Sequence, residues 1–265
     1  MIMQWEHLTT TEFVEAREKA QGVCILPIGV IEKHGETLPL GQDSIFAHDI
    51  AVLAAKEEPA VVFPMYYFGM ICEARHQAGT IAIPPELQLQ LLEATLDEIG
   101  RNGFKKILIV NGHGGNGPLL GMIGKTMLAR EKPYSIYTFF PFKRYPVLTA
   151  QTDGHGGEQE ISQMLYFHPE LVKNDGIPAG YGLNMPRLEA VEKLGASTPM
   201  DWYAYHPGHL AADQTPGTVE KGEVIVQKEK DRIVALLREI KQNDTAEELY
   251  REFHARARDP KAYDI

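Results

Sequence analysis

Lys105-Lys106-Ile107-Leu108-Ile109-Val110-Asn111-Gly112-His113-Gly114-Gly115-Asn116-Gly117 reads as a short apolar run, then a turn of glycine and asparagine holding one histidine. A helix starts behind it at Pro118, Leu119 and Leu120. A parallel strand buried on both faces has that length and composition. The glycines allow backbone conformations closed to other residues and a close approach to a ligand or metal.

Outward from this stretch, further apolar runs lie at 23–28, 60–64 and 134–139. Helical stretches lie at about 9–22, 44–58, 84–103, 158–167 and 220–242. The alternation predicts an α/β chain, a three-layer sandwich with a mainly parallel central sheet flanked by helices. Right-handed crossovers bring every strand's C-terminal end to one edge, where ligand sites in such sheets lie. Thr9-x-x-Glu12 is a capping box. Pro27 lacks a ladder donor, so strand one is expected to be ending or to lie at a sheet edge. Asp43 or Ser44 is a candidate helix cap. Residues 174–218 form an irregular excursion rich in Gly, Pro, Asn and Asp, a candidate lid or subunit contact. The tail at 247–265 is weakly specified.

Composition narrows the function classes. The chain has 265 residues, 44% apolar and 23% charged, which suits one α/β domain over 1–265. A formal charge of −10 with no basic run argues against nucleic acid and anionic membranes. Cys24 and Cys72 make neither a disulfide framework nor a zinc-type spacing, and Cys24 reads as a small buried apolar residue. No apolar run approaches the roughly 20 residues of a membrane span. The N-terminus lacks signal-peptide regions, so the expected location is cytoplasmic.

Polar residues collect behind the strands. Glu32 and His34 follow the first, Arg75 and His76 the second, His113 the third, and His155 and Glu160 the fourth. Gly112, Gly114 and Gly117 also fit the G-x-G-x-x-G dinucleotide pattern. That pattern needs a carboxylate at the end of the next strand, where Phe139-Phe140 offers none, and it gives His113 no task. Glu32, His34, Asp43, His113 and Glu160 form the alternative, two imidazoles and three carboxylates. This donor set suits Zn²⁺, Mn²⁺ or Fe²⁺, and five ligands with a bridging carboxylate suit a metal pair about 3.5–4 Å apart. Taken singly, each has a duller reading as a cap or surface group. Glu36 and Glu158 read as solvated or capping carboxylates, and His7, His48, His168, His206 and His209 receive no role.

Together these segments resemble the creatininase (creatinine amidohydrolase) family. Gly29-Val30-Ile31-Glu32-Lys33-His34-Gly35, with Leu38-Pro39-Leu40-Gly41-Gln42-Asp43, looks like its first motif, G-x-x-E-x-H-G-x-x-L-P-x-G-x-D. Ala78-Gly79-Thr80-Ile81 is similar to its P-G-T-I segment. Val110-Asn111-Gly112-His113-Gly114-Gly115-Asn116 is its most specific signature. His155-Gly156-Gly157-Glu158-Gln159-Glu160-Ile161-Ser162 resembles H-(A/G)-G-x-x-E-T-S, and Thr218-Val219-Glu220-Lys221-Gly222 resembles the stretch opening the last helix. The resemblance implies two divalent metal ions per chain, zinc first, with manganese or iron as alternatives. Glu32, His34, Asp43 and His113 would be ligands, with Asp43 bridging and Glu160 completing the second site. His155 would be the proton-transfer residue.

The implied activity is hydrolysis of a C–N bond other than a peptide bond, in a cyclic or related small amide, by a metal-activated water. The competing expectation is a non-catalytic metal- or nucleotide-binding protein on the same fold. The family also implies a homo-oligomer, hexamers included. Two departures argue against creatinine itself as the substrate. Gly115 stands where creatinine hydrolases carry a ligand glutamate, and 142–154 lacks their tryptophans. Trp202, Tyr203 and Tyr205 are candidate pocket walls.

Overall fold

The computed structural model describes residues 3–150, 154–173, 184–214 and 216–261. Helix α1 (Thr10–Lys19) begins at the expected capping box, with Thr9 accepting from the Glu12 amide and Glu12 returning to Thr9. There follow β1 (Val23–Ile28), α2 (Gln42–Glu57), β2 (Val61–Val62), α3 (Pro85–Arg101), β3 (Lys106–Asn111), α4 (Gly117–Ala129), β4 (Ser135–Phe139) and α5 (Glu158–Phe167). Two short helices, α6 (Glu189–Glu192) and α7 (Asp201–Tyr205), interrupt the described part of the excursion. Helices α8 (Val219–Gln242) and α9 (Thr245–Arg258) complete the chain. Residues 174–183 and 215 of the excursion lie outside the described residues.

The four strands pair in parallel in the order β2-β1-β3-β4. β1 and β3 are buried along their whole length, as their unbroken apolar runs require. From β1 the chain steps outward to β2, then crosses back over β1 to β3 and on to β4. Right-handed crossovers in opposite directions put α2 on one face and α3 and α4 on the other. The change of direction opens a crevice between the C-terminal ends of β1 and β3, where doubly wound sheets hold their ligands. Helix α8 packs on α5 and α2, which fixes the start of α5 beside that crevice.

One expectation holds in part and one is corrected. Pro27 lies one residue before the end of β1, as the ending-strand alternative has it, and not on an edge strand. Its carbonyl faces the β2 side and accepts from the Tyr66 amide, and β2 has already ended at Val62, so no ladder donor is lost. As far as Arg258 the tail is not weakly specified. α9 holds itself down with Tyr250, whose hydroxyl donates to the Met127 carbonyl (2.6 Å), and with the buried His254 against the same oxygen (3.1 Å).

Candidate metal centre

Glu32 and His34 lie on the loop leaving β1, Asp43 in the first turn of α2, and His113 directly after β3. His155 precedes α5, and Glu160 is in its first turn. Neither Asp43 nor Ser44 caps α2. The N-cap is Gly41, and Ser44 Oγ donates to the Val30 carbonyl (3.1 Å). Asp43 is therefore left to face the crevice. A Cβ on Gly112 would meet the Asp43 carbonyl oxygen, so glycine lets the β3 turn close on α2 and bring His113 to Asp43. Asn111 Nδ2 donates to the His113 carbonyl (2.7 Å), and Asn116 Nδ2 donates to Asn111 Oδ1 (2.9 Å), pinning that turn.

The structure brings together all five residues named as ligands, and His155 with them. His113 Nδ1 lies 2.8 Å from Glu32 Oε1 and 3.0 Å from Asp43 Oδ2. His34 Nε2 lies 2.9 Å from Asp43 Oδ1 and 3.7 Å from Glu160 Oε2. The donor atoms thus form two triads, Glu32–Asp43–His113 and His34–Asp43–Glu160, each with its atoms within 4.8 Å of one another. Asp43 contributes a different oxygen to each.

The set fits divalent cations on grounds internal to the chain. Glu32 Oε1 and Asp43 Oδ2 are buried without a hydrogen-bond partner, although both approach His113 Nδ1 closely. Buried carboxylate oxygens in that state are ones a cation would engage. His34 Nδ1 donates to the Glu32 carbonyl (3.2 Å), which leaves Nε2 for coordination, a usual outer-shell arrangement.

The electrostatics of the metal-free cluster agree. Burial opposes the charge on His34, yet Asp43, Glu160 and Glu32 hold its pKa up at about 10. His113 is likewise held well above its usual value by Glu32 and Asp43 despite its burial. Burial, then Asp43 and Glu32, push Glu160 up to about 8 against the pull of His34. Burial would raise Glu32, but the charge of His113 keeps it well below the usual carboxylate range. These protons sit where cations would. In the folded metal-free chain Glu160 holds its proton up to about pH 8 and His34 up to about pH 10, beyond their unfolded values. Stability of the metal-free chain is therefore expected to fall as pH rises from about 6.5 to 10, where the native state binds the more protons. Zinc affinity should rise over the same window. Melting curves with and without chelator across that range check both signs, and an affinity independent of pH would contradict them.

A cavity of about 440 Å³ opens over the triads, within the usual size of small-molecule sites. Phe46, Phe142 and Trp202 give it apolar walls, and Arg144 and Glu73 bring charge. Trp202 is thus a wall, as proposed from the sequence. Tyr203 instead packs on His76, and Tyr205 donates to Glu192. A Cβ at Gly115 would meet His113 Nε2 and lie 2.9 Å from Glu73 Oε1, so a longer side chain there has no room as the loop stands. His76 lies beside the site, donating to the Pro207 carbonyl (3.0 Å), while Arg75 is exposed.

Two readings of single residues need correction. Glu158 is not solvated. It is fully buried, accepting from the Thr149 and Ala150 amides and from Lys221, and these contacts hold its carboxyl down to about 2 against burial. His209, given no role from the sequence, donates to Glu32 Oε2 at 2.5 Å. Only its place in the His206-Pro207-Gly208-His209 run could have drawn attention to it.

Comparison with known proteins follows the same line. Residues 6–237 match the family model described as creatinine amidohydrolase. A creatinine amidohydrolase of Pseudomonas putida is 26% identical over 244 residues, covering 83% of this chain and 90% of its own. A mycofactocin precursor peptide peptidase of Mycolicibacterium smegmatis is 29% identical over 221 residues, covering 77% and 79%. A crystal structure from Bacteroides fragilis, provisionally assigned as a creatinine amidohydrolase, superposes with a TM-score of 0.80. It has 29% identity and covers 92% of this chain and 98% of its own. Among the described residues no helix is long and apolar enough to cross a membrane.

Proposed function

Because the chain belongs to the creatininase family, we propose that it is a metal-dependent amidohydrolase cleaving a non-peptide C–N bond in a small amide. The observation that carries this reading is the pair of triads sharing Asp43, with a proton carrier beside them. Glu32, Asp43 and His113 would hold one divalent ion, and His34, Asp43 and Glu160 the other. Zinc is the first choice and manganese or iron the alternatives, in keeping with creatininases of this fold solved with manganese and with zinc. Ions bound there lower the pKa of water toward neutrality and polarise an amide carbonyl.

The remaining work falls to the chain's own groups. His155 donates its Nε2–H to the Lys33 carbonyl (2.7 Å), so in the neutral ring Nδ1 carries the lone pair. That nitrogen faces Glu32 Oε1 at 3.8 Å. It is placed to take the proton of the attacking water and hand it to the departing nitrogen. Phe46, Phe142 and Trp202 bury the apolar part of the substrate and thin out bulk water.

Elemental analysis of purified protein, then turnover of a panel of lactams, other cyclic amides, formamides and short peptides, tests the proposal. About two ions per chain with turnover of a non-peptide amide is expected. Metal-free protein that binds a dinucleotide, or metal-loaded protein that cleaves only peptides, would overturn it. The peptide arm matters because a relative is a peptide peptidase.

A further inference from the structure

The segment 202–214 reaches the metal centre at three points. His209 bonds to Glu32, the Ala211 amide donates to the His155 carbonyl (3.0 Å), and Gln214 Nε2 donates to the His34 carbonyl (3.1 Å). The first contact is the informative one. His209 is 1% exposed, and Trp202 Nε1 donates to its Nδ1 at 2.8 Å. An indole N–H can only donate, so Nδ1 must accept. The ring then carries its proton on Nε2, where it donates to Glu32 Oε2. With that oxygen engaged, Glu32 Oε1 is left to turn toward Asp43 and His113.

A second observation is independent of the hydrogen bonds. His209 has φ = 54°, one of two non-glycine residues with positive φ among those described. This left-handed conformation costs an L-residue free energy and persists where surrounding structure imposes it, often at functional sites. Here it sets the imidazole on Glu32. The ring also lies 4.6 Å from His155, edge to face, and 5.6 Å from the Trp202 ring.

We infer that His209 is a positioning residue: it fixes Glu32 in its coordinating orientation and ties to it the segment carrying Trp202, so that the metal ligand and the aromatic wall of the cavity are held as one unit. This deepens the proposed function and rests on it only where metal is concerned. Outer-shell partners of this kind typically contribute 10–100-fold to metal affinity. Coupling is reciprocal, so an ion that orders Glu32 also seats Trp202.

The first test needs no metal. Trp5 is packed among Phe13, Phe63 and Phe104, so a Trp5→Phe background leaves Trp202 as the sole indole. In that background Glu32→Ala should leave the His209 ring without the acceptor that holds it in place and loosen the Trp202 indole bonded to it. Trp202 emission should then shift to the red, whereas Glu32→Gln, which keeps an acceptor, should leave it in place. Nitrogen-15 spectra should show His209 with its proton on Nε2 in the parent protein. Emission indifferent to Glu32→Ala, or a proton on Nδ1 in the parent, would overturn the inference whether or not metal binds.

The second test uses the metal-loaded protein. His209→Ala should weaken the tighter of two zinc-binding steps, or one of two equal ones, by 10–100-fold. It should also abolish the Trp202 response to zinc. His209→Gln, whose amide N–H can reach Glu32, should recover most of the affinity, and Trp202→Phe should cost less than His209→Ala. Full affinity in His209→Ala would count against the positioning role. Failure of the parent to bind zinc would instead sink the proposed function, leaving the first test to decide this inference.

Discussion

Asp43→Ala is expected to lose both ions and to abolish hydrolysis, a larger effect than any other single ligand replacement. The two triads have no other member in common. Glu160→Gln removes a donor from one triad and should leave the other loaded. Asp43→Ala removes a donor from both, and would take away the carboxylate standing between two like-charged cations. Replacing an outer-shell partner alone commonly costs 10–100-fold in affinity, so loss of a shared direct ligand should cost more than about 100-fold at each site. Elemental analysis after gel filtration should fall from about two ions per chain to fewer than one.

The same variant separates loss of metal from loss of fold. A ligand present at 100 times its dissociation constant stabilises the native state by about 2.7 kcal/mol. For a domain of this size that is a rise in Tm on the order of 5–10 °C per site. Zinc should raise the Tm of the parent by such an amount and leave that of Asp43→Ala unmoved, each measured against its own curve in chelator, since Asp43 also pairs with His34 and His113 in the metal-free chain. A variant that keeps two ions, or whose Tm still rises with zinc as the parent's does, would remove Asp43 from the bridging position.

Why some of this was legible in the sequence and some not follows from where each residue sits. Glu32, His34 and His113 stood out because each follows a buried strand, and a parallel sheet delivers strand ends to one edge. Asp43 was ambiguous locally, since an aspartate near a helix start reads equally well as a cap. What decides is that α2 begins one residue before it, behind Gly41, so its carboxylate lies inside the first turn and points into the crevice. Pro27 marked a strand about to end, but a ladder argument taken from one strand cannot know that its neighbour is two residues long. α9 was obscured because its apolar positions, Ala246, Leu249, Tyr250 and Phe253, are spaced for a helix but diluted by charge. His209 lies 177 residues from Glu32, in a segment without periodicity, so no local pattern could pair them. Residues that act on the chemistry from long range are set by tertiary packing and become visible only with it.

His155→Ala is expected to keep both ions and lose about 10²–10⁴-fold in kcat, the usual share of a general acid–base residue. The geometry also allows a rival role, because His155 Nδ1 forms a third cluster with Glu32 and His34. One feature weighs against it as a ligand: Glu32 and His34 already belong to the other triads. Burial, then the charge of His34, push the His155 pKa down to about 3. The His34 charge disappears once its Nε2 serves an ion, but burial remains, and both causes have the same sign. The ring is therefore neutral through the neutral range, with Nδ1 ready to accept a proton. In metal-saturated protein the rate should show no acid limb near the ordinary imidazole value of about 6.5. A fall at lower pH should coincide with release of the ions. Added imidazole should restore part of the rate to His155→Ala, since the variant leaves a gap beside Glu32 where a free base fits. Loss of zinc from His155→Ala would make His155 a ligand, and an undiminished kcat would remove it from the reaction.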